Sequence, residues 1–400
     1  MDVSLALSHA RPRLIGCAAV EGDRGREAAR GRRRRAACVS RIVERGFARG
    51  VTVDGRNRVS VVAGGKPSRV RQAENVPPSE VPDLPTTCDA VTVVVITRDR
   101  RTELLASLAE LRRLPERPRI IVVDNASSDG SAGAVGTTFP DVDVVRLTEN
   151  LGAAGRNVGA SRATTPYVAF SDDDSWWAPG ALARAAVVLD AYPGLALVAA
   201  RVLVGPAGAL DPTGAFMATS GIPRRVGVPG VPVFGFVACG AVVRREPFLD
   251  VGGFPERLGI GGEEAALSLA LVSAGSSLAY VDDVVAFHHP STVRDGCARR
   301  TMVTRNDLWI AWEYRSARVA VLRTLRALCR SVTDRAVRRG VVAALLRAPS
   351  VLAHRRPVPD DVERTLRTLD AARRSAGTGR AVQTLAGAGG RGPRVGMRDR

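Results

Sequence analysis

Apolar residues in the middle of the chain form short continuous runs separated by polar loops. Residues 91–96 and 119–123 are rich in Val and Ile, which is typical of parallel strands that are covered on both faces. Residues 141–147 and 167–170 predict two further strands, and residues 104–114 have the spacing of a helix. This alternation of strands and helices predicts an α/β domain with a mostly parallel sheet.

Polar side chains follow three of these strands at the point where each run ends. They are Thr97, Asp124 and the acidic run 172–174. In parallel sheets, ligands bind at the edge where the strands have their carboxyl ends. The pattern therefore predicts a binding site at that edge.

The acidic run, Asp172, Asp173 and Asp174, indicates a metal site. Three neighbouring like charges repel one another and are costly to bury. Carboxylate oxygens are preferred ligands of Mg²⁺ and Mn²⁺, usually together with substrate phosphates. An alternative is a solvated acidic turn that caps a helix beginning near Pro179.

Composition adds a clear division of charge along the chain. The 400 residues are 45% hydrophobic, which is enough for a sizeable core, and carry a formal net charge of +18. Residues 89–290 hold 17 basic and 22 acidic side chains, so all the net positive charge lies in the flanks. Lys66 is the only lysine among 58 basic residues. This skew weakens any inference from Arg richness to nucleic acid, and no nucleic-acid partner is expected.

The flanks predict less order than the middle. Residues 1–88 are predicted to be a disordered basic leader, and residues 371–400 a disordered tail. Residues 296–370 predict a helical extension, with helices over 301–315 and 319–346. The Arg-rich second helix fits peripheral contact with an anionic membrane, and a helix packed on the domain is the alternative.

Two further features bear on the surroundings of the domain. Residues 206–232 are rich in Gly and Pro and predict a long loop on the acceptor side. The six cysteines have no metal-site spacing, and no apolar core of a signal peptide is present near Met1. We expect a cytoplasmic protein, with contact to the inner face of the cell membrane as the open alternative.

Seven motifs in this order resemble the family 2 glycosyltransferases, which have the GT-A fold, a central sheet flanked by helices. The resemblance covers about residues 89–315, with the GT-A domain placed at 89–295. The motifs are the strand 91–96 with Thr97-Arg98-Asp99-Arg100, the segments 122–131 (Val-Val-Asp-Asn-Ala-Ser-Ser-Asp-Gly-Ser) and 150–159 (Asn-Leu-Gly-Ala-Ala-Gly-Arg-Asn-Val-Gly), Asp172-Asp173-Asp174, Val251-Gly252-Gly253-Phe254, Gly261-Gly262-Glu263-Glu264 and His288-His289-Pro290.

The resemblance implies roles for individual residues. A nucleotide-diphosphate sugar would be bound by Thr97, Arg98, Asp124, Asn125, Arg156, Asp172 and Asp173. Asp124 would accept hydrogen bonds from the base, and Arg156 would contact base or phosphate unless it lies on a solvated helix face. Asp172 and Asp174 correspond to an Asp-x-Asp motif that would hold Mg²⁺ or Mn²⁺ together with His288, although His289 remains an alternative.

The same resemblance implies the reaction. Glu264 stands where the family commonly has the Asp that deprotonates the acceptor hydroxyl, and Glu263 is the alternative base. Direct attack on the sugar would invert the anomeric centre, with a glycan or lipid-linked acceptor, as in the synthesis of cell-envelope polysaccharide. Three other functions stay open: a nucleotidyltransferase, a protein that binds nucleic acid or an anionic surface through its Arg-rich ends, and a degenerate transferase that binds nucleotide without turnover.

Overall fold

The computed structural model describes residues 51–53, 59–61, 89–224, 229–290 and 296–375. The chain divides into two compact units, residues 1–79 and 80–400. Of the first unit, the described part is an antiparallel pair of strands, β1 (Val51–Val53) and β2 (Val59–Val61). The rest of the predicted leader, and the predicted tail beyond Ser375, lie outside the described residues.

The second unit is built on a ten-stranded mixed sheet. Along its main path the strand order is β10-β12-β8-β11-β6-β3-β4-β5, with β7 paired to β12 and β9 to β8. The strands are β3 (Val91–Thr97), β4 (Arg119–Asp124), β5 (Asp143–Arg146), β6 (Tyr167–Asp172), β7 (Ser175–Trp177), β8 (Leu195–Val204), β9 (Ala209–Leu210), β10 (Val231–Pro232), β11 (Ala241–Arg244) and β12 (Ser277–His288). The four strands predicted from sequence form one parallel half, in which β3 lies between β4 and β6.

Helices cover both faces of the sheet. They are α1 (Arg101–Arg112), α2 (Ser131–Thr138), α3 (Gly155–Arg162), α4 (Ala181–Ala191), α5 (Pro212–Ala218), α6 (Arg245–Asp250) and α7 (Glu263–Ser273). One apolar cluster contains leucines of α1 and α4. The other contains residues of α3, α6 and α7. The α/β arrangement predicted from the apolar pattern is therefore confirmed.

The carboxyl ends of β3, β4 and β6 meet at one edge, as the sequence predicts. Two loops at this edge are tied together, because the backbone N–H of Ser128 donates to Asp99 Oδ1 at 2.7 Å and that of Asp99 donates to Ser127 Oγ at 3.0 Å. Asp99 has a positive φ of 51°, so the loop after β3 turns sharply. This bracing fixes the edge on which the polar side chains stand.

The segment predicted as a long loop over 206–232 contains regular structure, and that prediction is wrong. It includes β9, the helix α5 and the strand β10. Asp211 caps α5 by accepting from the backbone N–H of Thr213 at 2.7 Å, and Pro212 occupies the first helical turn. Asp211 followed by Pro212 is a helix-start pattern. The high Gly and Pro content of the segment obscured this pattern.

The C-terminal part is helical as predicted, with different boundaries. Its helices are α8 (Gly296–Tyr314), α9 (Ala317–Ser331), α10 (Arg335–Leu346), α11 (Ala348–Ala353) and α12 (Asp360–Ser375). The single helix predicted over 319–346 is divided, because Asp334 caps α10 by accepting from the N–H groups of Ala336 and Val337. The last helix also runs beyond the predicted boundary at residue 370.

These helices pack on the domain through a third apolar cluster, which joins Leu258 and Leu269 to Trp309 and Val341. Buried Arg315 holds α12 through Glu363 at 2.8 Å and Asp370 at 3.0 Å. In the part of the chain that the structure describes, no helix is both long and apolar enough to cross a membrane.

Candidate functional site

A cleft of about 390 Å³ opens at the carboxyl edge of the sheet. Every residue assigned a site role from sequence lines it, except Asp124. The lining includes Thr97, Arg98, Asn125, Arg156, Asp172, Asp173, Asp174, Glu263, Glu264 and His288. Positions separated by almost 200 residues in sequence are thus brought into one cavity.

The three acids differ in their surroundings. Thr97 Oγ1 donates to Asp173 Oδ2 at 3.1 Å, and Arg100 lies 3.1 Å from Asp173 and 3.0 Å from Asp174. Burial raises the pKa of Asp173 to about 7, although the charge of Arg100 opposes the shift. Burial acts in the same direction on Asp174, but His288 and Arg100 outweigh it and lower the pKa of that carboxyl. Of Asp173 and Asp174, Asp174 is therefore the one whose surroundings favour the anion.

His288 faces the acids from the end of β12. Its Nε2 atom lies 3.3 Å from Asp174 Oδ1. Ligand atoms of Asp172, Cys239 and His288 all lie within 4.8 Å of one another. Carboxylates suit Mg²⁺ and Mn²⁺, whereas imidazole and thiolate suit Zn²⁺ and similar softer metals. These residues therefore fit a divalent cation.

His289 is placed differently from His288. Its ring packs edge-on against Trp176, with centroids 4.7 Å apart, and its backbone N–H donates to the carbonyl of Asp174 at 2.8 Å. These contacts fix the turn after β12. Of the two histidines, His288 is the one that lines the cleft.

Arg156 lies inside the protein, so the alternative of a solvated helix face is excluded. Its side chain is buried, forms an ion pair with Asp172, and stacks over the Phe254 ring at 5.5 Å. Its charge also lowers the pKa values of Glu263 and Glu264, against the larger effect of burial. Arg156 thus compensates acidic groups on both sides of the cleft.

Glu263 and Glu264 begin α7 at the opposite wall of the cleft. Gly262 precedes them with a φ of 98°, a conformation that favours glycine. The Glu263 carboxylate accepts from the backbone N–H of Gly261, whereas Glu264 Oε2 is shielded from solvent and has no hydrogen-bond partner. Burial raises the pKa of both carboxyls, and the charge of Glu263 adds to the shift at Glu264.

Asp124 and Asn125 stand at the end of β4. Asp124 is buried, and its Oδ1 accepts from the N–H of Ser127 at 2.9 Å while its Oδ2 has no partner. Asn125 accepts from the N–H of Leu151 and donates to the carbonyl of Gly152. Asn125 therefore positions the following loop as well as lining the cleft.

The loop that contains Gly152 closely approaches the segment that precedes α7. Gly152 has a φ of 59°, and a Cβ there would lie 3.0 Å from the backbone of Gly259. The N–H of Ala153 donates to the Gly259 carbonyl at 3.1 Å. Because Gly152 has no side chain, its loop can contact the backbone at Gly259 on the other side of the cleft.

Sequence reasoning assigned no site role to several residues of the cleft. Arg100 belongs to the motif Thr97-Arg98-Asp99-Arg100 after β3. Its pairing with Asp173 and Asp174 becomes apparent only in the folded structure. Cys239 is buried, and its thiol lies within 4.8 Å of ligand atoms of Asp172 and His288. Asp211, the residue that caps α5, and Arg299 of α8 also line the cleft, and no sequence pattern marks them as site residues.

Comparison with known proteins relates part of the chain to a family. The family model described as Glycosyl transferase family 2 matches residues 92–252, which include the acidic run and Cys239. This matched segment runs from β3 to β11 and is similar to the family 2 glycosyltransferases. The glutamate pair and His288 lie beyond the matched segment.

Two curated glycosyltransferases of Mycobacterium tuberculosis (strain ATCC 25618 / H37Rv) are similar to the chain. Pre-mycofactocin glycosyltransferase is 32% identical over 268 residues, which are 63% of this chain and 54% of that protein. N-acetylglucosaminyl-diphospho-decaprenol L-rhamnosyltransferase is 26% identical over 243 residues, 52% of this chain and 79% of that protein. The chain spans about half the length of the first of these relatives.

Solved glycosyltransferases are also similar in structure. A mannosyltransferase from Pyrobaculum calidifontis, in complex with GDP-Man and Mn²⁺, has a TM-score of 0.47 at 20% identity, covering 76% of this chain and 88% of its own. S. aureus TarS 1-349 in complex with UDP-GlcNAc has a TM-score of 0.40 at 17% identity, covering 55% and 66%.

Proposed function

We propose that this family 2 protein transfers a sugar from a nucleotide-diphosphate sugar to an acceptor hydroxyl, with inversion at the anomeric carbon. The observation that carries the proposal is the convergence of strand-end acids, a buried arginine, a histidine and a shielded glutamate pair on one cleft. The family relationship of residues 92–252 supports it independently.

Asp172, Asp174 and His288 are the residues that would hold Mg²⁺ or Mn²⁺. The cation would supply compensation for the negative charge that develops on the departing nucleotide diphosphate. Asp174 is suited to this role because His288 and Arg100 keep it ionised. Arg100 pairs with Asp173 and Asp174, and it would offer a further positive charge to the diphosphate.

The nucleotide would lie between the loops after β3 and β4. Thr97 and Arg98 border it on one side, and Asn125 borders it on the other. Asp124 Oδ2 is buried without a partner, which is costly unless a donor reaches it. A base N–H is the donor that we propose.

Glu264 is the base that we propose. The Glu263 carboxylate accepts a hydrogen bond from the Gly261 N–H, whereas Glu264 Oε2 has no hydrogen-bond partner. A raised pKa makes Glu264 a stronger base than an ordinary glutamate. It would take the proton of the acceptor hydroxyl while that oxygen bonds to the anomeric carbon and the nucleotide diphosphate departs from the opposite face.

The acceptor would enter from the side of Asp211 and Val237, where α5 borders the cleft. One similar protein is named as a rhamnosyltransferase acting on a decaprenol-linked sugar. We propose a glycan or lipid-linked acceptor on this basis, in the synthesis of a cell-envelope polysaccharide.

Calorimetry of donor binding tests the proposal. UDP-, GDP- and dTDP-sugars are titrated with and without Mn²⁺ into the protein and its Asp174→Asn variant, whose thermal unfolding is compared with that of the parent. Metal-dependent binding that the variant loses would support the proposal and name the nucleotide. A folded protein that binds none of these donors with Mn²⁺ present would overturn it.

The alternative of a degenerate transferase predicts donor binding without turnover. It would bind a donor in the same titration but would release no nucleotide diphosphate in the presence of any acceptor or water. Product analysis by proton NMR of the anomeric signal separates turnover with inversion from binding alone.

A further inference from the structure

The C-terminal helices expose large apolar side chains to solvent. Nine of the twelve exposed large apolar residues in the described part of the chain lie on or next to α9, α10 and α11. We call them the C-terminal apolar face: Val321, Leu322, Leu325, Leu328, Val332, Val342, Leu345, Leu346 and Leu352. Leu346 is 78% exposed and Val332 is 76% exposed, so these side chains are not marginal members of the core.

The same helices already bury another face. Ala320 of α9 and Ala336, Val337, Val341 and Ala344 of α10 are buried, and Val337 and Val341 pack with Trp309 of α8. The exposed residues are therefore additional to the stripe that docks these helices on the domain. Patches of this kind on soluble domains mark interaction surfaces.

Arginines share the solvent side with the apolar residues. Residues 317–347 hold eight arginines and a single acid, Asp334, and the Asp334 carboxylate is used to cap α10. Arg318 lies seven residues before Leu325, and Val332 lies seven after it, so the three share one side of the helix. On α10, Arg339 lies seven residues before Leu346, and Arg338 lies four before Val342, so each pair also shares a side of the helix.

We propose that the C-terminal apolar face docks on an anionic phospholipid surface. Leucine and valine side chains would enter the boundary between headgroups and acyl chains, while the arginines pair with lipid phosphates. A second copy of the chain is disfavoured because it would bring two strongly basic surfaces together. This surface does not include the cleft, so the inference stands apart from the proposed reaction and goes beyond it.

Co-sedimentation of the full chain with vesicles tests the inference in the absence of any sugar donor. The vesicles are phosphatidylcholine alone, or phosphatidylcholine mixed with phosphatidylglycerol. We expect at least about tenfold stronger binding to the anionic vesicles. We also expect that added salt weakens the binding. Equal binding to both vesicle types, or to neither, would overturn the inference.

Two variants locate the contact. Leu325→Gln/Leu328→Gln removes apolar side chains that are 52% and 41% exposed, and Arg335→Gln/Arg339→Gln removes two exposed charges. Each should lower binding to anionic vesicles by about tenfold without a change in thermal unfolding. Arg112→Gln/Arg113→Gln, at the C-terminal end of α1, is the control with the same loss of charge, and it should bind as the parent does.

Two other results would contradict the inference. If soluble glycerol phosphate displaced the protein from vesicles at low concentration, the site would be one for a free phosphate rather than for a surface. If sedimentation without lipid showed a dimer that the Leu325→Gln/Leu328→Gln variant lost, the apolar face would join two copies of the chain.

Discussion

At the scale of single residues, Glu263 and Glu264 are adjacent but chemically different. One carboxylate accepts a backbone hydrogen bond and the other has an oxygen without a partner. We expect Glu264→Gln to lower the transfer rate by about 10²–10⁴-fold, the usual contribution of a general base, and to leave donor affinity within a few fold. Steady-state kinetics together with donor titration measures both quantities.

Glu263→Gln is the matched control, and it should lower the rate less than Glu264→Gln. The reverse order would show that Glu263 is the base. A base acts when deprotonated, and the pKa of Glu264 is raised by burial and by Glu263. The rate should therefore increase with pH through a range above the ordinary glutamate value of about 4.3, and Glu264→Gln should remove this increase.

Cys239 leads to a second prediction at this scale. Burial, together with the charges of Asp172 and Asp174, raises the pKa of the thiol well above its ordinary value, so a bound cation is needed to deprotonate it. Because thiolate is a soft ligand, we expect Zn²⁺ to bind more tightly than Mn²⁺. Cys239→Ser should weaken Zn²⁺ by about tenfold or more and leave Mn²⁺ nearly unchanged.

Competition titration measures these affinities, and Co²⁺ provides a readout independent of activity, since a cobalt–thiolate bond gives a charge-transfer absorption band. Absence of that band in the parent protein, or its persistence in Cys239→Ser, would contradict the prediction. The sequence could not indicate this role, because Cys239 lies 49 residues before His288 and no spacing rule connects them.

At the scale of helices and strands, local patterns predicted the parallel half of the sheet well. The strands of that half are mostly apolar and end in a polar residue, as in 91–97. The pattern failed where side-chain capping decides the boundary. Asp211 starts α5 inside a Gly- and Pro-rich segment, and Asp334 divides one amphipathic stretch into α9 and α10.

The contact between α8 and α9 yields a prediction about stability. Burial raises the pKa of Asp307 on α8 to about 6, although Arg323 and Arg330 on α9 oppose the shift. The unfolded chain has the ordinary value of 3.8. Between these values the folded state binds more protons than the unfolded state, so the contribution of this group to stability declines as pH rises from about 4 to about 6.

Asp307→Asn should remove that decline and raise the free energy of unfolding by about 1–2 kcal/mol at pH 7, because one pKa unit corresponds to about 1.4 kcal/mol. Urea unfolding at several pH values measures the difference. Asp250→Asn, at an exposed position at the end of α6, is the control and should follow the parent. A less stable Asp307→Asn protein at pH 7 would show that the arginines hold this carboxylate more strongly than burial disfavours it.

At the scale of the whole molecule, the residues of the cleft and the net positive charge occupy different parts of the chain. The described residues of the cleft lie between Ile96 and Arg299, in and just beyond a segment with net negative charge, and the net positive charge lies in the flanks. The sequence showed this division of charge directly. It could not show that the C-terminal flank is packed on the domain, because the third apolar cluster joins residues about 100 positions apart.

This separation predicts the result of removing the basic N-terminal segment. Residues 1–79 form a unit of their own and include Lys66 and the run Arg32 to Arg35. We expect the chain without them to keep its donor affinity within about twofold, since no described residue of the cleft is lost. It should also keep its binding to anionic vesicles, because α9 and α10 remain. Calorimetry and vesicle co-sedimentation on the same preparation measure the two properties.

The rival assignment, a protein that binds nucleic acid or an anionic surface through its Arg-rich ends, makes a different prediction for the same truncation. Losing the 17 basic and 7 acidic residues of positions 1–79 would weaken binding to any polyanion and reduce its dependence on salt. A truncated chain that loses DNA or vesicle binding while the Leu325→Gln/Leu328→Gln variant keeps it would place polyanion binding in the N-terminal segment. Unchanged vesicle binding after truncation, with loss in the leucine variant, would instead require apolar insertion by α9, which a purely electrostatic arm cannot provide.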